Sequence, residues 1–186
     1  AASDVYKRQA FNGVRNFIAA LALLPVLLFM QRKAPKKTQT DEERKQSRKT
    51  LWVGGVLCGL ALAVASNLQQ FGISFTTVGK AGFLTALYIV IVPILGLFLK
   101  KRVPATVWVS VVIAAAGTYL LSVQEGFTIA PGDLLVILCA LGFSVHILII
   151  DHFSPMVNGV ALSCVQFLVC GILCLSLIHI SEPTRH

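Results

Sequence analysis

The chain has 186 residues, 56% of them hydrophobic and 13% charged, with a formal net charge of +8 and a mean hydropathy of +0.79. This balance excludes an ordinary soluble domain and places the chain in the membrane class. It excludes a nucleic-acid binder as well, because the basic residues cluster between apolar runs instead of covering one folded face.

The first apolar span is Asn16 to Met30, short for a full crossing unless Phe11 to Arg15 adds a turn. A signal peptide is the rival reading, but a basic polar segment with no small-residue cleavage pattern follows the run. That segment, residues 31 to 50, carries Arg32, Lys33, Lys36, Lys37, Arg44, Lys45, Arg48 and Lys49 against Asp41, Glu42 and Glu43. It reads as a solvated loop that fixes orientation, with contact to anionic headgroups as the sharper alternative.

The second span, Leu51 to Phe71, opens with Trp52 at an interface and repeats Gly55, Gly59 and Ala63 every four residues. Such a flat stripe predicts close approach by another helix. The stripe then turns polar at Asn67, with Gln70 one turn on and Ser66 and Gln69 alongside. After a connection over Gly72 to Val78, the third span is the most apolar: Phe83 to Leu99 holds no charge and twelve Leu, Ile, Val or Phe. At about −0.3 to −0.6 kcal/mol each, these gain roughly 4 to 7 kcal/mol on insertion, which outweighs Lys80 at the mouth. Pro93 cannot donate to the Ile89 carbonyl and predicts a kink. Lys100, Lys101 and Arg102 end the span, and Pro104 stops the helix.

The fourth span, Ala105 to Val123, carries Trp108 near its start and Ser110, Ala114 and Thr118 at four-residue spacing, a second candidate packing stripe. Gln124 to Asp133 reads as a loop with Glu125 and Asp133 and no basic residue. The fifth span is Leu134 to Phe153, with His146 inside and Asp151 near its end. A Phe-Ser-Pro turn precedes the sixth, which runs from Val160 and contains Gln166. All five cysteines fall inside apolar segments and none forms a C-x-x-C pair. They read as small packing residues: Cys170 and Cys174 are i, i+4 neighbours, but two thiolates in lipid are too costly for a metal site. No metal or cofactor is expected.

The fold class is therefore all-α, a polytopic transmembrane helical bundle of about six spans. Alternate sides receive eleven basic residues and two to four. The positive-inside rule puts residues 31–50 and 100–104 in the cytoplasm, and Gly72 to Val78 and Gln124 to Asp133 outside. The opening AASDVYKRQ and the closing SLIHISEPTRH resemble translated adaptor sequence. Residues 1–9 and 176–186 are thus expected to be non-native tails on a piece of a longer protein.

Thr76 to Val123, TTVGKAGFLTALYIVIVPILGLFLKKRVPATVWVSVVIAAAGTYLLSV, resembles the fourth and fifth helices of an EamA-type member of the drug/metabolite transporter superfamily. VRNFIAALALLPVLL resembles that family's second helix and GDLLVILCALGFSVHILIIDHFSP its sixth. The resemblance implies a ten-helix carrier of two inverted five-helix repeats with substrate near the midplane. Residues 10–123 would be a first repeat lacking its first helix, and 124–175 the start of the second. Asn12-Gly13-Val14 and Asn158-Gly159-Val160 are a trace of the repeat. Two departures are Lys101 and Arg102 where an acidic residue often follows the fourth helix, and Ser110 where glycine is common.

The function so implied is secondary transport, including efflux, of a small metabolite, amino acid or drug-like solute across the cytoplasmic (inner) membrane by alternating access. The piece alone would be inactive. The implied partners are the lipid bilayer, the solute, and a coupling proton or cation. An intramembrane enzyme and a non-transporting scaffold are the alternatives. Against the enzyme, no H-E-x-x-H or G-x-S-x-G occurs, and Ser144 is too near His146 to share a helix face with it.

The candidate cavity residues are Lys80, Asn67, Gln70, Thr85, Tyr88, His146 and Gln166. Lys80 is either a snorkelling anchor or a counter-charge for an anionic or zwitterionic solute, with Thr76, Thr77 and Thr85 supplying hydroxyls. The amides of Asn67, Gln70 and Gln166 must face protein or water, as helix glue or as cavity lining. His146 is either a proton carrier or a neutral imidazole bonded to a carbonyl. Asp151 lies about 140 degrees from it around the helix, so the two form no same-face pair.

Overall fold

The structure, a computed structural model, describes residues 2–33, 40–122 and 131–181. Lys36 and Lys37, and the connection over residues 124 to 130 with Glu125, lie outside the described residues. Among the described residues the chain is all α-helical: α1 (Ala2–Lys33), α2 (Asp41–Ile73), α3 (Val78–Ala86), α4 (Tyr88–Phe98), α5 (Ala105–Ser122), α6 (Pro131–Phe153) and α7 (Gly159–Ser181). Five spans are long and apolar enough to cross a bilayer, with α3 and α4 together forming one of them, Val78–Phe98; Ala105–Leu120 is a shorter apolar helix. The protein is a polytopic helical bundle. Side chains such as Val112, Ile113, Leu120 and Phe98, all more than 60% exposed, are normal for helices whose solvent is lipid.

The polar segment before the second span differs from expectation, because residues 41–50 are helix and not loop. The cause is a capping box: the Thr40 N–H donates to Glu43 Oε2 (3.0 Å) and the Glu43 N–H donates to Thr40 Oγ1 (3.4 Å). Asp41, Glu42 and Glu43 fill the first turn, where the helix dipole favours anions. Helix α6 likewise starts earlier than expected, at Pro131, whose missing N–H costs nothing at a first helical position.

The chain divides into two compact units, residues 1–63 with 149–186 and residues 64–148. In the first unit the predicted Gly55, Gly59, Ala63 stripe meets α7. A side chain at Gly55 would strike Val165, and one at Gly59 would meet Val169 at 2.7 Å and the Gln166 carbonyl at 2.9 Å. Ala63 shares a buried cluster with Cys170 and Cys174, so these cysteines pack where a larger residue would hold the helices apart. Contacts advance in step along α2 and α7, which therefore run parallel. Helix α1 runs antiparallel to α7, with Gly13 against Leu175 and Gly171 against Phe17. The two Asn-Gly-Val copies have different environments: Asn12 is fully buried within α1, whereas Asn158 Oδ1 accepts from the Val160 and Ala161 N–H groups at the start of α7 (2.9 and 3.1 Å).

In the second unit the helical ladder of the third span breaks at Leu87, between α3 and α4, while Pro93 lies buried inside α4, six residues downstream. Pro93 withdraws the donor that would meet the Ile89 carbonyl, whereas the Leu87 carbonyl still accepts from the Ile91 N–H at 3.0 Å. The span ends in a Schellman motif: the Lys101 N–H bonds the Gly96 carbonyl, the Lys100 N–H bonds the Leu97 carbonyl (both 2.9 Å), and Lys100 adopts φ 56°. The expected α5 stripe is not a helix seam at Ser110, which is exposed. The Ser110 and Thr118 hydroxyls bond the Thr106 and Ala114 carbonyls one turn back (3.0 and 2.7 Å), a common way to satisfy a hydroxyl within an apolar helix.

Candidate functional site

A polar locus in the second unit lies where α2 ends and α3 and α6 begin. Gly72 and Gly132 let the backbones meet: a side chain at Gly132 would strike the Gly72 carbonyl and come within 2.8 Å of the Phe75 carbonyl carbon, and one at Gly72 would meet Val136. This close approach carries Asp133, in the first turn of α6, against the turn that leads into α3. There Lys80 Nζ pairs with Asp133 Oδ2 at 2.8 Å, and the Thr76 hydroxyl donates to Asp133 Oδ1 at 2.5 Å. Thr77 caps α3 by accepting from the Lys80 N–H at 3.3 Å, which sets the base of the lysine. The Lys80 side chain is 17% exposed and that of Asp133 6%. The pair is thus largely removed from solvent at the entrance of two apolar helices.

This arrangement has three electrostatic supports for the carboxylate: the ammonium, a hydroxyl donor, and the N-terminus of α6. Chemically it is a neutral, preformed pair of opposite charges on two helices. It can exchange either partner for a ligand group of the same sign, or open if both are re-paired.

One turn beyond Lys80, Gln69 Nε2 donates to Thr85 Oγ1 at 3.2 Å and links α2 to α3. Further along, Tyr88 stacks at a tilt on Phe143, ring centroids 6.4 Å apart. Contacts thus advance in the same direction along α3–α4 and α6, from Lys80 and Asp133 to Tyr88 and Phe143. The entrances of these two spans lie on the same side, as the charge layout requires. Beside the Leu87 break, a cavity of about 240 Å³ is lined by Phe83, Ala86, Leu87, Val90, Thr118 and Tyr119. Phe83 and Tyr119 close it edge to face at 6.4 Å.

Of the residues singled out from sequence, Lys80, Thr85, Tyr88, Asn67, Gln70 and His146 belong to this unit and Gln166 to the other. Asn67 and Gln70 are half-buried on α2. His146 is buried on α6, thirteen residues past Asp133 and so about 20 Å further along the helix; it is not part of the ion-pair cluster. Gln166 is buried on α7, whose backbone meets Gly59. Ser144 donates to the Ala140 carbonyl at 2.8 Å, and Asp151 is exposed.

Asp133 and Gln69 are not among the candidate cavity residues that the sequence offers. Asp133 ends the expected loop, yet Pro-Gly-Asp before an apolar run is also a helix start with an acid in its first turn. A second polar locus, on α1 in the first unit, is not among those candidates either: Gln9, Asn12 and Asn16 share one helix face and are buried. Asn16 Nδ2 donates to the Asn12 carbonyl at 2.7 Å.

A profile described as the EamA-like transporter family matches residues 1–123. A protein of Archaeoglobus fulgidus named "Uncharacterized transporter" is 34% identical over 163 residues, which is 87% of this chain and 46% of that protein. The chain therefore spans about half the length of this curated relative. No solved structure matches. Taken with the apolar helices and the charges held between them, these similarities show that the chain belongs to the EamA-like transporter family.

Proposed function

We propose that the protein acts as a secondary carrier that moves a small metabolite, amino acid or drug-like solute across the cytoplasmic membrane by alternating access. The observation that carries this reading is the Lys80–Asp133 pair with its Thr76 hydrogen bond, held at the entrance of two apolar spans. Ionised groups at such positions are costly and persist where they face a pathway. In this reading Lys80, Asp133 and Thr76 form the outer mouth of the solute path. Thr85, Gln69, Asn67, Gln70 and Tyr88 continue it inward, and His146 is the group for a coupling proton. Residues 10–123 and 124–175 are parts of two inverted repeats, and the full pathway needs the whole carrier. Residues 31–50 and 100–104 face the cytoplasm.

The test is solute flux in liposomes holding the full-length parent. Lys80→Ala and Asp133→Ala are each expected to cut uptake or efflux at least tenfold while insertion persists. Unchanged flux in both variants would reduce the pair to a structural anchor. Chemical change of a lipid or peptide with no solute movement under any gradient would replace the carrier by an intramembrane enzyme.

A further inference from the structure

The cytosol-directed basic segment contains an ordered face that the transport reading does not use. On the α2 extension, Arg44, Arg48, Trp52, Lys45 and Lys49 fall within about 140 degrees of the helix circumference at 3.6 residues per turn. Together with Asp41 they line a shallow groove of about 520 Å³. All four cations are exposed. Glu43 is occupied by the capping box, and among the described residues no carboxylate pairs with Arg44, Lys45, Arg48 or Lys49. The groove thus keeps about three net positive charges.

Its height is also defined. The helix is continuous from Asp41 into the apolar run that begins at Leu51. At 1.5 Å per residue, Arg48 and Lys49 stand about 3 to 5 Å above that boundary, and Arg44 and Lys45 about 9 to 11 Å. A bilayer's polar layer is about 5 to 8 Å deep on each side. Two cations therefore sit at phosphate depth and two reach over the headgroup, while Trp52, 54% exposed, lies at the level where indoles anchor.

We propose that this face of α2 is a binding site for one anionic phospholipid, its phosphate held by Arg48 and Lys49, its headgroup covered by Arg44 and Lys45, and its upper acyl chain laid along Trp52. A lipid fits the groove better than a free anion does because exposed apolar surface of α2 continues below the Lys45 and Lys49 edge of the charged face, at Val56 and Leu60.

The test is native mass spectrometry of the chain released from discs made of phosphatidylcholine and phosphatidylglycerol in equal amounts, with retained lipids counted. Each net cation near the surface favours an anionic lipid by about fivefold, so wild type should retain phosphatidylglycerol over phosphatidylcholine by at least tenfold. Arg48→Gln/Lys49→Gln should remove most of that preference, and adding Arg44→Gln/Lys45→Gln should abolish it. Lys100→Gln/Lys101→Gln/Arg102→Gln, which removes a comparable charge elsewhere, should leave it in place. Equal loss in the two sets, or no preference in wild type, would overturn the site. Inorganic phosphate that displaces the lipid more than chloride at matched ionic strength would assign the groove to a free anion and overturn the lipid. Unchanged helicity by circular dichroism separates loss of binding from loss of fold.

Discussion

Removing one member of the Lys80–Asp133 pair should cost far more than removing both. At 2.8 Å and an effective dielectric of about 20, the gross attraction is about 6 kcal/mol, offset by the desolvation of both groups. Breaking such a pair from one side typically costs about 3 to 5 kcal/mol, because the survivor is left buried and unpaired. Lys80→Met leaves Asp133 with the Thr76 hydroxyl and the α6 N-terminus, so its cost should fall near the lower end of that range. Asp133→Leu leaves an ammonium that is 17% exposed and can extend outward, so it should cost less. The double variant Lys80→Met/Asp133→Leu substitutes apolar volume and should be close to neutral. The cycle should therefore give a coupling of at least about 3 kcal/mol. Unfolding in detergent, followed by helicity against added denaturing surfactant, measures all four proteins. Single costs below about 1 kcal/mol that simply add would match a solvated surface pair and refute the description of this pair as buried and mutually dependent.

Three further outcomes follow from backbone geometry and use the same unfolding measurement. Gly59→Leu drives a side chain into Val169 and the Gln166 carbonyl and should cost at least about 1 to 3 kcal/mol by overpacking, whereas Gly82→Ala meets nothing within 4 Å and should stabilise α3 by about 0.5 to 1 kcal/mol. Lys100→Gly relieves a left-handed residue at φ 56° and should stabilise by about 1 kcal/mol; a loss would mean that the lysine side chain contributes more than the backbone strain removes.

Much of this architecture is readable from composition because a bilayer leaves few choices. An uncharged apolar run such as Phe83 to Leu99 must satisfy its backbone internally, so it is a helix whatever its neighbours do. The Gly55, Gly59, Ala63 stripe was equally legible, since in lipid small residues are what allow helices to pack closely. The polar contacts were less legible because they depend on which helix ends meet. Lys80 was visible as an intramembrane cation and Thr76 as a nearby hydroxyl, but their carboxylate lies more than fifty residues away, and nothing local to Asp133 says that α6 begins beside α3. Gln69 and Gln70 differ by one residue and 100 degrees of rotation; only the packing of α2 against α3 selects Gln69 for Thr85. The helical extension at residues 41–50 was legible in principle, as Thr-Asp-Glu-Glu is a capping box, but its charge outweighed that signal.

The position of the ion pair follows from the same small residues that allow the spans to pack. Gly72 and Gly132 are where two helix ends come closest, and a close backbone approach at the start of α6 is what brings a short aspartate within reach of Lys80 and Thr76. A glutamate could span a wider gap, but it would lose rotamer freedom and place its charge less precisely. The two glycines and the short acid therefore form one device, in which shape brings the charges together and the charges hold the entrances of α3 and α6 on one side. On the proposed carrier reading, a solute that re-pairs either charge would act at the junction where these two spans begin. From that junction α6 runs on as one helix, whereas the third span is interrupted at Leu87.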